Sequence, residues 1–153
     1  MINKRKIVAV IPARGGSKGI KNKNLLKLNG ISLTEIAIKE SLKSKLIDSV
    51  ILSSNSNKIL NIGRKFKNLI IHQRKKNLSN DKSQIVDVLI DILNTFSDYD
   101  IIVLLQPTNP FRRSKDIDEC IRKMIKGKYQ TAITVSELDY DPRWFFEISP
   151  SGS

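Results

Sequence analysis

At 153 residues the chain is long enough for one domain around one core, and a globule of this size buries about 68–70% of the surface its unfolded chain exposes. Its 40% hydrophobic and 27% charged residues are those of an ordinary globular fold, while a formal net charge of +12 turns attention to anionic ligands. The lone Cys120 excludes an internal disulfide and has no Cys or His at zinc spacing, so it reads as a helix packing residue.

Ile7 to Ile11 is an unbroken apolar run, too short for a signal-peptide core or a membrane span, and it suits a parallel strand covered on both faces and ended by Pro12. A cytoplasmic protein with no membrane partner is therefore expected. A loop follows that holds Gly15, Gly16 and Gly19 among Arg14, Lys18, Lys21 and Lys23. After the Asn29-Gly30 turn, Leu33, Ile36, Ala37, Leu42 and Leu46 predict an amphipathic helix over 33–46. A strand over 47–53, a helix over 57–66, a strand over 69–72 and a helix over 84–96 come next. The last carries Ile85, Val88, Leu89 and Ile92 on one face, with Asp81 or Ser83 as its cap. Residues 101–105 form the most hydrophobic run and the expected central strand. A helix over 114–125 places Asp116, Asp118 and Glu119 in its first turns, where carboxylates favour the positive end of the dipole, and a strand is expected over 131–135.

This order predicts one α/β domain over 1–153: an open, mostly parallel sheet with helices on both faces, binding ligands beyond the carboxyl ends of the strands where strand order reverses. The glycine-rich loop, Ser53-Ser54 and Gln106-Pro107-Thr108 all fall at such ends. Glycines without Cβ atoms let the first loop fold tightly and bring N–H groups to an anion, and the cations around them offset charge that desolvation would make costly. That combination suits a nucleotide's phosphates. A P-loop does not fit, because no Lys-Ser/Thr pair stands at the required offset, and a dinucleotide fingerprint lacks both its glycine spacing and an acid after the second strand. His72, a lone histidine at a strand end, reads as structural rather than as a general base.

The segment Pro12-Ala-Arg14-Gly-Gly-Ser17-Lys-Gly, with Lys23-Asn24-Leu after it, resembles the N-terminal signature of the acylneuraminate cytidylyltransferases, the CMP-sialic acid synthetases. Arg74, seven residues before Asp81, is similar to that family's Arg-Pro-x-x-Leu-x-x-Asp element, with Lys75 in place of the proline. Leu104-Leu-Gln106-Pro-Thr108-Asn-Pro-Phe-Arg112 resembles its Leu-Leu-Gln-Pro-Thr-Ser-Pro-Leu-Arg element, and the three stand in the family's order. The resemblance implies a Rossmann-like fold of nucleotide-diphospho-sugar transferase type and transfer of CMP from CTP to the anomeric hydroxyl of a nine-carbon α-keto acid sugar. Pyrophosphate is released with magnesium as cofactor, in sugar activation for surface polysaccharide and lipopolysaccharide. It implies catalytic contacts from Arg14 and Lys23 to the triphosphate, with Ser17 and Asn24 shaping the loop. Arg74 and Ser83 would contact the cytidine portion, and Gln106 and Thr108 the acceptor sugar. Ile85 stands where the family often has a second hydroxyl.

The resemblance also implies segments after the Asp141-Pro-Arg-Trp-Phe-Phe146 region: a dimerisation excursion, an Arg-Pro-Asn-Gly element and an aspartate pair that holds magnesium. These are not among the 153 residues, so the domain is expected to be incomplete at its C-terminal end, with no metal ligand assigned. Two other readings stay open. One is a catalytically inactive nucleotide-binding remnant. The other is a basic RNA-binding domain, suggested by a pI near 9.9 but opposed by cations scattered along the chain with no aromatic-rich strand for base stacking. No nucleic-acid partner is expected on the leading reading.

Overall fold

The computed structural model of the chain describes residues 5–17, 19–80 and 83–137. The chain begins with β1 (Ile7–Pro12), whose first five residues are fully buried, and then forms a small antiparallel hairpin, β2 (Lys27–Leu28) and β3 (Ile31–Ser32). Asn29 and Gly30 turn that hairpin with φ of 49° and 81°, the left-handed pair that matches the twist of a two-residue connection. Helix α1 (Leu33–Leu42), strand β4 (Ser49–Ser54), helix α2 (Asn57–Gly63), strand β5 (Ile70–Gln73), helix α3 (Ile85–Thr95), strand β6 (Ile101–Leu104) and helix α4 (Ser114–Lys126) complete the series.

The main sheet is parallel with order β5-β4-β1-β6. The chain therefore steps outward from β1 through β4 to β5, then returns to the other side of β1. That reversal puts the switch point between β1 and β6. Alternate β1 residues serve opposite layers, as the two-residue strand period requires. Ile7, Ala9 and Ile11 pack with Ala37 and Ile38 of α1, Ile59 of α2, and Ile117 and Ile121 of α4. Val8 and Val10 pack with Val88 and Ile92 of α3. The sheet thus carries helices on both faces, as the βα order implied.

Several expectations need correction. Helix α1 stops at Leu42, because Lys43 and Ser44 close it with bonds back to Lys39 and Ser41, and its buried face runs through Thr34, Ala37, Ile38 and Ser41. Thr34 and Ser41 can be buried because their hydroxyls donate to the carbonyls of Asn24 and Ile38. Helix α2 likewise ends early, at Gly63, where an added Cβ would stand 2.6 Å from Leu52 Cδ2. The second strand begins two residues later than expected, since Asp48 is used as a tie, its carboxylate accepting from the Ile7 amide. Ser83 does not cap α3; its hydroxyl donates to Asn77 O and Asn80 Oδ1, and Gln84 takes the cap position with its amide donating to Asp87. Asp81, the other expected cap, lies outside the described residues.

Asp116 does what its place in the first turn suggests, accepting from the Arg113 amide. Asp118 does something else: it is buried and accepts from the Ser44 hydroxyl and the Lys45 amide, tying α4 to the end of α1. Strand β6 is not central among the described residues, pairing there with β1 alone, while β1 has partners on both sides. No strand forms over 131–135; nothing among the described residues pairs with it, and Ile133 and Val135 are 78% and 83% exposed. β-propensity alone does not make a strand without a neighbouring ladder.

Candidate nucleotide-binding cavity

The carboxyl ends of β1, β5 and β6 open onto one cavity of about 630 Å³. Arg14, Ser17, Lys23, Asn24, Arg74, Ser83, Gln106 and Thr108 all line it. Residues separated by more than ninety positions in sequence meet here because the parallel sheet sends each strand's carboxyl end to the same edge. Which group each one contacts is a matter for the proposal below.

The first wall is the loop after β1. Ala13 is tied to β4 by a bond from its amide to Ser53 O at 2.9 Å, and Gly15 N donates to Asn55 Oδ1 at 2.9 Å. Gly15 sits close to its neighbour, since a Cβ there would stand a tight 3.1 Å from Ser56 Cβ, whereas Gly16 is favoured by its φ of +74°. Gly19 meets neither condition, and the Gly15 amide is committed to Asn55 rather than left to an anion. Of the three glycines expected to bend the loop and offer their amides, Gly16 alone makes a left-handed bend, the Gly15 amide is used within the protein, and Gly19 is the glycine that lines the cavity. Lys18 lies outside the described residues. Asn24, only 6% exposed, donates from Nδ2 to the Arg14 carbonyl at 2.9 Å and accepts at its own carbonyl from Thr34 at 2.7 Å. It staples the far end of the loop to its beginning, so Lys23 and Arg14 sit on one rim.

The second wall is built differently. Arg74 follows β5 and is 6% exposed, yet no carboxylate among the described residues pairs with it. Its amide donates to Ser54 O at 2.9 Å, Nε to Ser53 Oγ at 3.2 Å and Nη2 to Ser53 O at 3.0 Å. Burial, with a smaller contribution from the charge of Arg14, lowers its pKa to about 10. A buried Arg74 guanidinium close enough to feel the charge of Arg14, with no carboxylate among the described residues paired to Arg74 itself, describes a wall suited to negative charge. His72 is buried behind Arg74, Nδ1 3.0 Å from Ser53 Oγ and Nε2 3.3 Å from Asp91 Oδ2, which agrees with a structural histidine. Burial, opposed by Asp91, holds it below the ordinary histidine range.

Gln106 and Thr108 project from the bend after β6, which is fixed by Arg112: its Nη2 donates to the Gln106 carbonyl at 3.1 Å. Sequence reasoning missed the apolar part of the lining, Ile20, Leu78 and Val88, and the polar Asn80 and Gln84. Val88 was read only as core, and it serves both purposes. Ile85, noted for replacing a hydroxyl, also lines the cavity and extends that apolar strip.

The family model described as cytidylyltransferase matches residues 8–143 of the chain. The chain belongs to the cytidylyltransferase family. Among curated relatives, the CMP-N,N'-diacetyllegionaminic acid synthase of Legionella pneumophila is 31% identical over 153 residues, covering 97% of this chain and 65% of that protein. The N-acylneuraminate cytidylyltransferase of Escherichia coli is 34% identical over 158 residues, covering 95% of this chain and 38% of that one. This cytidylyltransferase chain thus spans about two thirds or less of these relatives. Its fold is also that of a CMP:2-keto-3-deoxy-manno-octonic acid synthetase solved with CTP, with a TM-score of 0.66 at 22% identity over 80% of this chain and 48% of that one. Among the described residues no helix is long and apolar enough to cross a membrane.

Proposed function

We propose that the chain binds CTP in this cavity and serves the transfer of CMP to the anomeric hydroxyl of a nine-carbon α-keto acid sugar, with release of pyrophosphate. One observation carries the reading: seven residues from three separate sequence motifs, with Ser83 just beyond the second, line a single cavity beside the switch point of the sheet. Arg14 and Lys23 then face the triphosphate, with Ser17 and Asn24 shaping the loop beneath it. Arg74 and Ser83 contact the cytidine portion, against the apolar strip of Leu78, Ile85 and Val88. Gln106 and Thr108 face the sugar. In the transfer the sugar oxygen bonds to the α-phosphorus as the bond from that phosphorus to the pyrophosphate oxygen breaks, and the hydroxyl proton passes to solvent. What these side chains supply is alignment of two anions and neutralisation of charge on the leaving group.

Magnesium is the cofactor that the family resemblance implies, and the described residues do not fit a site for it. Among the described residues no cavity-lining residue is a carboxylate, and they hold no group of three or more His, Cys, Asp or Glu that could ligate a metal. Divalent magnesium is held in proteins by one or two carboxylates together with substrate phosphates and water.

Incubation with CTP, magnesium and either N-acetylneuraminate, legionaminate or pseudaminate, with the CMP-sugar quantified, tests the reading. Product with one of these acids supports it; absence of both product and CTP binding contradicts it. The described lining, which holds no carboxylate, favours a second reading, nucleotide binding without turnover, for which measurable CTP affinity and no product with any of the acids is the expected outcome.

A further inference from the structure

Arg74 lines the cavity, but the groups that hold its guanidinium lie behind the wall, in a buried chain no motif points to. Ser53 Oγ is the hub, and Ser53 is fully buried. It accepts from Arg74 Nε at 3.2 Å and lies 3.0 Å from His72 Nδ1. On the far side of the ring, His72 Nε2 faces Asp91 Oδ2 at 3.3 Å, an ion-pair distance; that oxygen is buried and accepts no well-formed hydrogen bond among the described residues, which leaves the imidazole as the donor that faces it. Asp91 Oδ1 takes the Lys75 ammonium, and the edge of Phe96 packs against the imidazole. An ionised carboxylate accepts only, so the ring proton belongs on Nε2. Nδ1 is then bare and accepts the Ser53 hydroxyl proton, which leaves the Ser53 lone pairs directed to Arg74.

We propose that Ser53, His72 and Asp91 form a relay of positioning residues that fixes the Arg74 guanidinium in the cavity wall, and that neutral His72 is the form in which the relay is complete. This rests on the reading of Arg74 as a nucleotide contact. Protonation of His72 would put an N–H on Nδ1, force Ser53 Oγ to accept from both sides and leave its own buried proton without an acceptor. It would also place a cation beside Arg74 and Lys75, with Asp91 as the carboxylate that faces the ring. The depressed histidine titration described above, caused first by burial, points the same way.

His72 is the only histidine in the chain, so its ring signals need no assignment. Nitrogen-15 NMR of the ring is expected to report the Nε2–H tautomer and a midpoint below the ordinary value of 6.5. CTP titrations complete the test. His72→Leu, which removes the acceptor, should weaken CTP binding by about 2- to 10-fold at neutral pH, the size of one lost hydrogen bond. His72→Asn carries an amide oxygen where Nδ1 stood and should recover part of that loss. Dividing the wild-type pH profile by that of His72→Asn removes the titration of CTP's own phosphate, and the ratio should show wild-type affinity declining as pH falls through the depressed His72 midpoint that the NMR titration reports. An Nδ1–H tautomer, a midpoint at or above the ordinary value, or full CTP affinity in His72→Leu while Arg74→Met loses it, would overturn the relay. If neither the wild type nor any variant binds CTP, the nucleotide reading fails by itself, and the tautomer and midpoint still decide the relay.

Discussion

The two walls of the cavity are made by opposite means. The loop after β1 carries its cations on a rim of partly exposed residues, shaped by one left-handed glycine and one buried asparagine. The wall beyond β4 and β5 carries a single cation that is buried and held by serine and histidine without a balancing acid among the described residues. The first arrangement suits flexible charge neutralisation of a phosphate chain, where water still screens. The second suits orientation, because a guanidinium with two of its donors fixed can offer the others in one direction only. A buried unpaired charge costs stability, so its retention points to use rather than to folding.

That contrast can be broken most directly at its two arginines. Arg74→Met is expected to reduce CTP affinity by the worth of a charge-assisted bond, about 1.5–3 kcal/mol, while thermal stability stays level or rises because a desolvated charge is gone. Calorimetric titration alongside a melting curve checks both, and a large fall in Tm would mean that Arg74 serves the fold. Arg14→Ala is expected to lose about 1.5–3 kcal/mol of affinity with little change in stability, and unchanged affinity would remove the loop from the site. Next comes Asn24→Ala, which leaves the Arg14 carbonyl without its donor; about 1–3 kcal/mol of stability should go, with weaker CTP binding. Gly16→Ala sharpens the contrast further, since an alanine at φ +74° costs about 1–2 kcal/mol and the strain falls on the loop wall alone. The smallest effect is on the pH dependence of stability. Because the folded His72 titrates below the unfolded value, the unfolded chain takes up a proton first, so stability should decline as pH falls below about 6.5, and the decline should vanish in His72→Asn. Urea denaturation at several pH values measures it.

How much of this was legible in sequence follows from the same contrast. The strand-loop-glycine pattern around Arg14 is local, so composition and spacing reveal it, and the order of βα units follows from hydrophobic period. Helices on both faces and the cavity-lining residues at strand ends were readable for that reason. Arg74 was reachable through a motif, but its burial depends on Ser53, nineteen residues from His72 and on the adjacent strand, and no one-dimensional period encodes that pairing. Asp118 was misread because its partners, Ser44 and Lys45, lie more than seventy residues away, so its first-turn position was the only signal visible. The segment over 131–135 has the residues of a strand, but a strand needs a ladder, and the described residues supply none.

The central claim is that the carboxyl edge of this sheet clasps CTP between the two walls. Nitrogen-15 NMR of the chain titrated with CTP tests it most directly. Saturable shifts should be concentrated in residues 14–24, 74–85 and 106–108, and they should reach the Arg74 Nε–H signal. Shifts that never saturate, or that scatter over the lysine-rich surface and leave Arg74 unmoved, would contradict it.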